Sequence, residues 1–291
     1  MNLLAIALVG LFAFPAAAQK SLAPTVMTSE QLAQQGAGMI PAEAEEMEKR
    51  LSQNPHDLNA RTQLLGYYFY QWMSVGENNA RAARARHIHW LISHQPESSA
   101  VAVYEATIDP RGHQLADEAA YNRARELWTA AAAARPDSAI VQGNMAKFFQ
   151  LNDKDLAEKA LQKAMTLEPN NNEWQWRLGY LYAMGILGVD GLAFNGQPTS
   201  VDPAAKNSPF AMKARKALES GSNPLLLAVA GNTLYRYGSM LAPTAKGRLE
   251  AVEEAERLFR KAQTLEPNNP TWAQLLQQLQ GMKHQMTAPA K

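Results

Sequence analysis

The sequence predicts an all-α protein: an α-solenoid of antiparallel helix pairs, with inter-helix insertions and a C-terminal capping helix. Three observations carry that expectation. From Pro41 onward the chain is rich in Ala, Leu, Glu, Gln, Lys and Arg, the residues that lose least on entering a helix. Pro55, Pro96, Pro136, Pro169, Pro224 and Pro267 each follow a helix-like segment, and a residue before proline is pushed out of the α region, so each marks a helix end and a new start. Their separations of 41, 40, 33, 55 and 43 residues suit stacked helical units better than one globular core. Finally, Thr264-Leu265-Glu266-Pro267-Asn268-Asn269 nearly copies Thr166-Leu167-Glu168-Pro169-Asn170-Asn171.

Composition narrows the class. The 291 residues hold 28 basic and 27 acidic side chains, a net charge of +1, which removes the main electrostatic reason to expect nucleic acid as a partner. Hydrophobic residues at 46% can build a core, and 17 Gly with 16 Pro are too few for a collagen-like or Pro/Gly-rich disordered chain. With no Cys at all, disulfides, thiolate metal sites and a cysteine nucleophile are excluded.

In chain order, the first element is an address. Leu3–Phe14 is an apolar run of twelve followed by Pro15 and Ala16-Ala17-Ala18, too short for the roughly 20 residues of a spanning helix and patterned as a cleaved signal peptide over residues 1–18. The expected location is periplasmic or secreted, with no integral membrane span once the signal is removed. Residues 19–41 read as a flexible tether with at most a short helix near Ser29–Gln35, residues 42–283 as the helical repeat domain, and 284–291 as a disordered tail.

Within the domain the sharpest unit is Ser138–Asn171, with Phe148 in a first helix, then Ala157, Leu161 and Ala164 in a second, and Pro169 after it. Two antiparallel helices approach closely only where facing side chains are small, which Ala157 and Ala164 supply, while Phe148 and Leu161 fill the space between. In these residues the unit resembles the tetratricopeptide repeat (TPR), at five of that family's pattern positions. Met145 stands where the family has glycine, so one helix contact is expected to be repacked. Leu178-Gly179 with Tyr182 continue the register, as do Gly231 and Leu234, and Ala255, Phe259 and Ala262 complete a second helix before Pro267. Leu65-Gly66 with Phe69 open an earlier unit whose second helix has Arg84 where a small residue belongs. The unit over Ser98–Asp137 keeps Ala124, Trp128, Ala131 and Pro136 but has a short, irregular first helix. Surplus residues fall at 76–80, 109–113, 185–209 and 238–247, and the capping helix covers about Thr271–Met282.

Catalytic patterns are weak. His87, His89 and His94 lie on one predicted helix, but only His87 and His94 share a face, with no further ligand beside them. Asp109, His113 and Asp117 are interrupted by Pro110 and Gly112, which favours a turn and an N-cap. Arg81, Arg84 and Arg86 read as a solvated face, with docking of an anionic partner as the alternative. Asp190-Gly191 and Asn195-Gly196 suit the turns of a small hairpin, and that apolar insertion is expected either to tuck against the concave face or to project as a contact surface.

The resemblance implies that first helices line a concave groove. The matching positions give Gln63, Tyr67, Tyr70, Gln142, Phe149, Trp176, Tyr180, Asn232 and Tyr235, with Arg236 adjacent. Rings offer contact area at small entropy cost and amides can bond an extended backbone, which suits a protein or peptide partner. The expected function is therefore a non-catalytic scaffold without a cofactor or a metal. Two other readings compete with it: an enzyme or enzyme subunit with its site near residues 185–209, and a structural subunit of an envelope complex. The assigned register predicts that Ala164→Trp overpacks the helix pair and costs roughly 1–3 kcal/mol, read as a lowered melting temperature.

Overall fold

The computed structural model describes residues 27–193 and 196–287, and the fold it gives is predominantly helical. The N-terminal half holds α1 (Ser29–Ala37), α2 (Pro41–Gln53), α3 (Leu58–Tyr70), the short α4 (Trp72–Val75), α5 (Glu77–His94) and α6 (Glu118–Ala134). Next come α7 (Ala139–Phe149), α8 (Lys154–Leu167) and α9 (Asn172–Leu187), then an antiparallel hairpin of β1 (Val189–Leu192) and β2 (Pro198–Val201). The chain closes with α10 (Pro209–Ser220), α11 (Pro224–Thr233), a π-helical turn over Leu234–Gly238, the short α12 (Ser239–Leu241), α13 (Ala245–Leu265) and α14 (Pro270–Thr287). The helices start where a side-chain oxygen takes the first free N–H groups: Asp57, Asp117, Ser138, Asp153, Asn171 and Asn223 each do so. Packing runs between helices close in sequence, with α7 on α8, α9 on both α10 and α11, α11 on α13 and α13 on α14.

The alanines of the sequence pattern occupy these contacts. Ala157, Ala164, Ala255 and Ala262 are wholly buried, with Leu161 and Phe259 beside them in the core. The missing glycine of the Ser138 unit is replaced by an exchange two residues away: Met145 is buried, and a side chain at Gly143 would collide with the Trp174 ring of α9. The duplicated segment folds the same way twice. Glu168 accepts from the Asn171 amide at 2.8 Å and the Trp174 indole at 2.9 Å, and Glu266 accepts from Asn269 at 2.9 Å and Trp272 at 3.2 Å.

Two expectations about the ends are corrected. The signal peptide expected at residues 1–18 lies outside the described residues, but the described part of the 19–41 tether belongs to the fold. Leu32, Ala33 and Gly36 of α1 are buried against α3, where a Cβ on Gly36 would lie 1.8 Å from the Gln63 carbonyl oxygen and one on Gly66 would lie 1.8 Å from that of Ala33. Small residues let these two backbones touch, so a polar-looking segment docks without a large apolar stripe. Pro41 is likewise the first residue of α2 rather than its border. At the other end α14 continues through residues 284–287, so the tail expected from 284 begins no earlier than 288. Most of the surplus expected at 76–80 is also helix, because α5 begins at Glu77 directly after the positive-φ turn at Gly76. Asp190-Gly191 lies inside β1 at a register shift rather than in a turn. Asn195 lies outside the described residues. Among those residues no helix is long and apolar enough to cross a membrane.

Charged side chains also go where periodicity did not place them. Arg84 is buried and donates to the carbonyls of Glu105 and Thr107, with its guanidinium 4.9 Å from the Phe69 ring. Arg81 bonds Glu77 and the Gln114 carbonyl, and Arg86 bonds Glu48, so the three arginines do not form a solvated face. His87 is only 1% exposed. Arg61 can only donate, so its 3.1 Å contact makes His87 Nδ1 the acceptor, and Nε2–H then donates to Glu48 at 3.0 Å. This neutral imidazole joins α2, α3 and α5. His89 faces the Ala120 carbonyl and His94 the Trp90 carbonyl. Asp117 caps α6, and His113 meets Asp109 at 2.7 Å within the turn before it.

Two outcomes follow. Gly66→Ala should cost roughly 1–3 kcal/mol and free α1, seen as faster proteolysis around residues 27–40 while the rest of the chain resists. Burial holds the His87 pKa below its ordinary 6.5, with the Glu48 bond opposing and Arg86 and Arg61 assisting. Burial would raise the Glu48 carboxyl, but bonds from His87 and Tyr68 and the Arg86 charge outweigh it and hold it at about 2. Both groups bind fewer protons folded than unfolded, so stability falls as pH drops below 6.5 through His87 and below 4.5 through Glu48. Urea midpoints should decline between about pH 7.5 and about pH 5, and His87→Gln should flatten that decline while lowering the midpoint at the higher pH.

Candidate binding groove

A concavity of about 920 Å³ runs across α7, α9, α11 and the start of α14. Its centre is aromatic. Trp176 is 45% exposed and stacks on Tyr180 with ring centroids 5.4 Å apart and planes 11° from parallel. They lie one helical turn apart on α9, the spacing that brings side chains together on one face. Burial raises the Tyr180 pKa, keeping the phenol neutral, and its O–H donates to the Gly196 carbonyl at 2.6 Å. Tyr104 O–H holds the Leu192 carbonyl at 3.0 Å, and Gly196 and Gln197 line the groove. Of the two dispositions open to the insertion, it takes the first and tucks against the groove.

Ten residues were expected here, and the structure gathers Trp176, Tyr180, Asn232 and Arg236. Gln63 and Tyr67 are removed by α1, which lies on that stripe of α3: Gln63 donates to Gln35 at 3.0 Å, and Tyr67 is 4% exposed, its backbone N close beneath Gly36. Tyr70 donates to the buried carboxylate of Glu105 at 2.9 Å. On α7 the exposed stripe is offset by one residue from the expected one, so Lys147 and Gln150 line the groove beside the buried Ala146, while Gln142 at 7% and Phe149 at 0% exposure face the interior. Tyr235 is half-buried and does not line it, because the π-helical turn after Thr233 widens the spacing and presents Arg236 and Tyr237.

Several lining residues were missed. Ala228 occupies the same repeat position that selected Trp176, and Leu225 lies one helical turn before it, so the pattern could have found them. Lys147 and Arg177 fall off those positions. Arg177 is tied down, bonding the Gly143 carbonyl at 3.1 Å and Glu173 at 2.6 Å. Burial lowers its pKa and Glu173 opposes that. Lys147 is half-buried, and burial followed by the Arg177 charge lowers its pKa, with Glu30, Glu173 and Glu105 opposing. Among the described residues its ammonium has no hydrogen-bond or ion-pair partner.

The groove offers rings, amides and cations, and its lining contains one carboxylate, Glu266, and no histidine. Among the described residues no three His, Cys, Asp or Glu side chains converge to hold a metal ion. A scan against protein-family models found no match to this chain, and a search of curated proteins found none either.

Proposed function

We propose that the protein is an exported, TPR-like scaffold that binds a protein or peptide partner in this groove and performs no chemistry of its own. The reading is carried by one observation: Trp176, the most exposed large ring of the groove, lies stacked on Tyr180 in a concavity that Asn232 also lines and that runs across α7, α9, α11 and α14. A tryptophan left in water on a supported shelf is a surface primed to be covered. The tetratricopeptide arrangement is supported by the succession α7–α8, α9–α10 and α11–α13, each pair packed on itself, with α14 laid on the last. Export is supported by the apolar run Leu3–Phe14 and the small residues after it. An envelope complex is a natural setting for such a scaffold.

Site-specific photocrosslinking tests this reading. A benzoylphenylalanine at position 176 should give discrete adducts in native envelopes, whereas one at Met212, more exposed on α10, should not. Trp176→Ala with Asn232→Ala should weaken capture of the adduct's partner about tenfold or more without lowering the melting temperature. Equal adducts from positions 176 and 212 would remove the groove from consideration.

A further inference from the structure

The chain as a whole is nearly neutral, but the groove is not. Its lining holds Lys147, Arg177 and Arg236 against the single acid Glu266. That acid is committed to the Asn269 amide and the Trp272 indole. Arg177 is partly neutralised by Glu173. Arg236 is exposed, with its guanidinium 5.4 Å from the Tyr237 ring centre, and forms no ion pair among the described residues. Lys147 stands out: its half-buried ammonium makes no hydrogen bond or ion pair among the described residues, Glu30, Glu173 and Glu105 act on it only from a distance, and a carboxylate bonded to it offsets the cost of its burial.

We propose that the groove takes an acidic peptide segment from another molecule, with Lys147 receiving a carboxylate, Arg236 acting as the second cation, and the Trp176–Tyr180 stack carrying a neighbouring apolar side chain. This rests on the peptide-binding reading above and specifies its ligand. A peptide fits better than a small anion because the concavity of about 920 Å³ far exceeds one anion's volume. The amides of Gln150, Asn172 and Asn232 can both donate to and accept from an extended main chain. Residues 1–26 and 288–291 contain no Asp or Glu side chain.

The test is selection of a displayed library of random dodecapeptides on the full-length protein, followed by synthesis of the most enriched peptide and of its Glu/Asp→Gln/Asn isostere. Enriched peptides should carry excess acid and shield Trp176 fluorescence. The acidic peptide should bind at least tenfold tighter than the isostere, and its affinity should fall with added salt. Lys147→Met should erase that difference while melting no lower than the parent, because the substitution removes an unpaired charge, and Lys147→Arg should retain it. Lys147→Gln gives the same comparison if the Met variant does not fold. Enriched peptides that shield Trp176 but show no acidic excess, or no dependence on position 147, would overturn the acidic ligand and leave the groove standing. No enrichment over a blank support would overturn both. Shielding of Trp176 by alginate with no peptide enriched would assign the cations to a polysaccharide instead.

Discussion

The structure depends on helix backbones coming close where side chains are absent. With no Cys to link them, the helices are held without covalent cross-links, and their closest contacts fall at glycine and alanine. Gly36 and Gly66 bring α1 onto α3, Gly143 accommodates the Trp174 ring, Gly185 and Gly231 accommodate the rings of Phe210 and Phe259, and wholly buried alanines separate α7 from α8 and α11 from α13. Each helix then covers its neighbour's apolar face, and the folded chain is sustained by a succession of pairwise contacts. The groove is a product of that succession. Its walls are the sides of helices already fixed from behind, so Trp176 can stay exposed without loosening α9.

What periodicity could reveal and what it could not divide along physical lines. The second-helix alanines and the proline turns were legible because each has a fixed spacing or a required turn residue, whereas Asp190-Gly191, expected to turn the hairpin, lies inside β1. Helix α1 was not, because it buries Ala33 and Gly36 with a single leucine, Leu32, and a contact made of small residues leaves almost no hydrophobic signature. For the same reason Gln63 and Tyr67 were expected in the open. Phe149 and Tyr235 fail differently: position rules assume one unbroken register, and α7's exposed stripe is offset by one residue while the π-helical turn widens the spacing after Thr233. Arg84 and His87 meet partners 21 to 39 residues away, and local pattern carries no information about such pairings.

The buried polar groups have complementary roles in the two halves. Near the N-terminus, His87 with Glu48 and Arg61 fastens α2 to the body of the protein, and Arg84 fastens the irregular segment before α6 by its carbonyls. Terminal nitrogens of both arginines are bonded while each buried Nε is left without a partner among the described residues, and the paired groups define which surfaces face inward. Near the groove, Tyr180 uses its one hydroxyl to hold the hairpin. The ring on which Trp176 rests is thereby fixed before any ligand arrives, which limits the side-chain ordering that binding must impose.

The twin turns at Glu168 and Glu266 close every one of their bonds within six residues. Such short loops form with little entropic penalty and without waiting for distant segments. The chain therefore holds two separate seeds, about a hundred residues apart, from which order can spread in both directions. A lesion in one would slow collapse locally and leave the other able to nucleate the remainder.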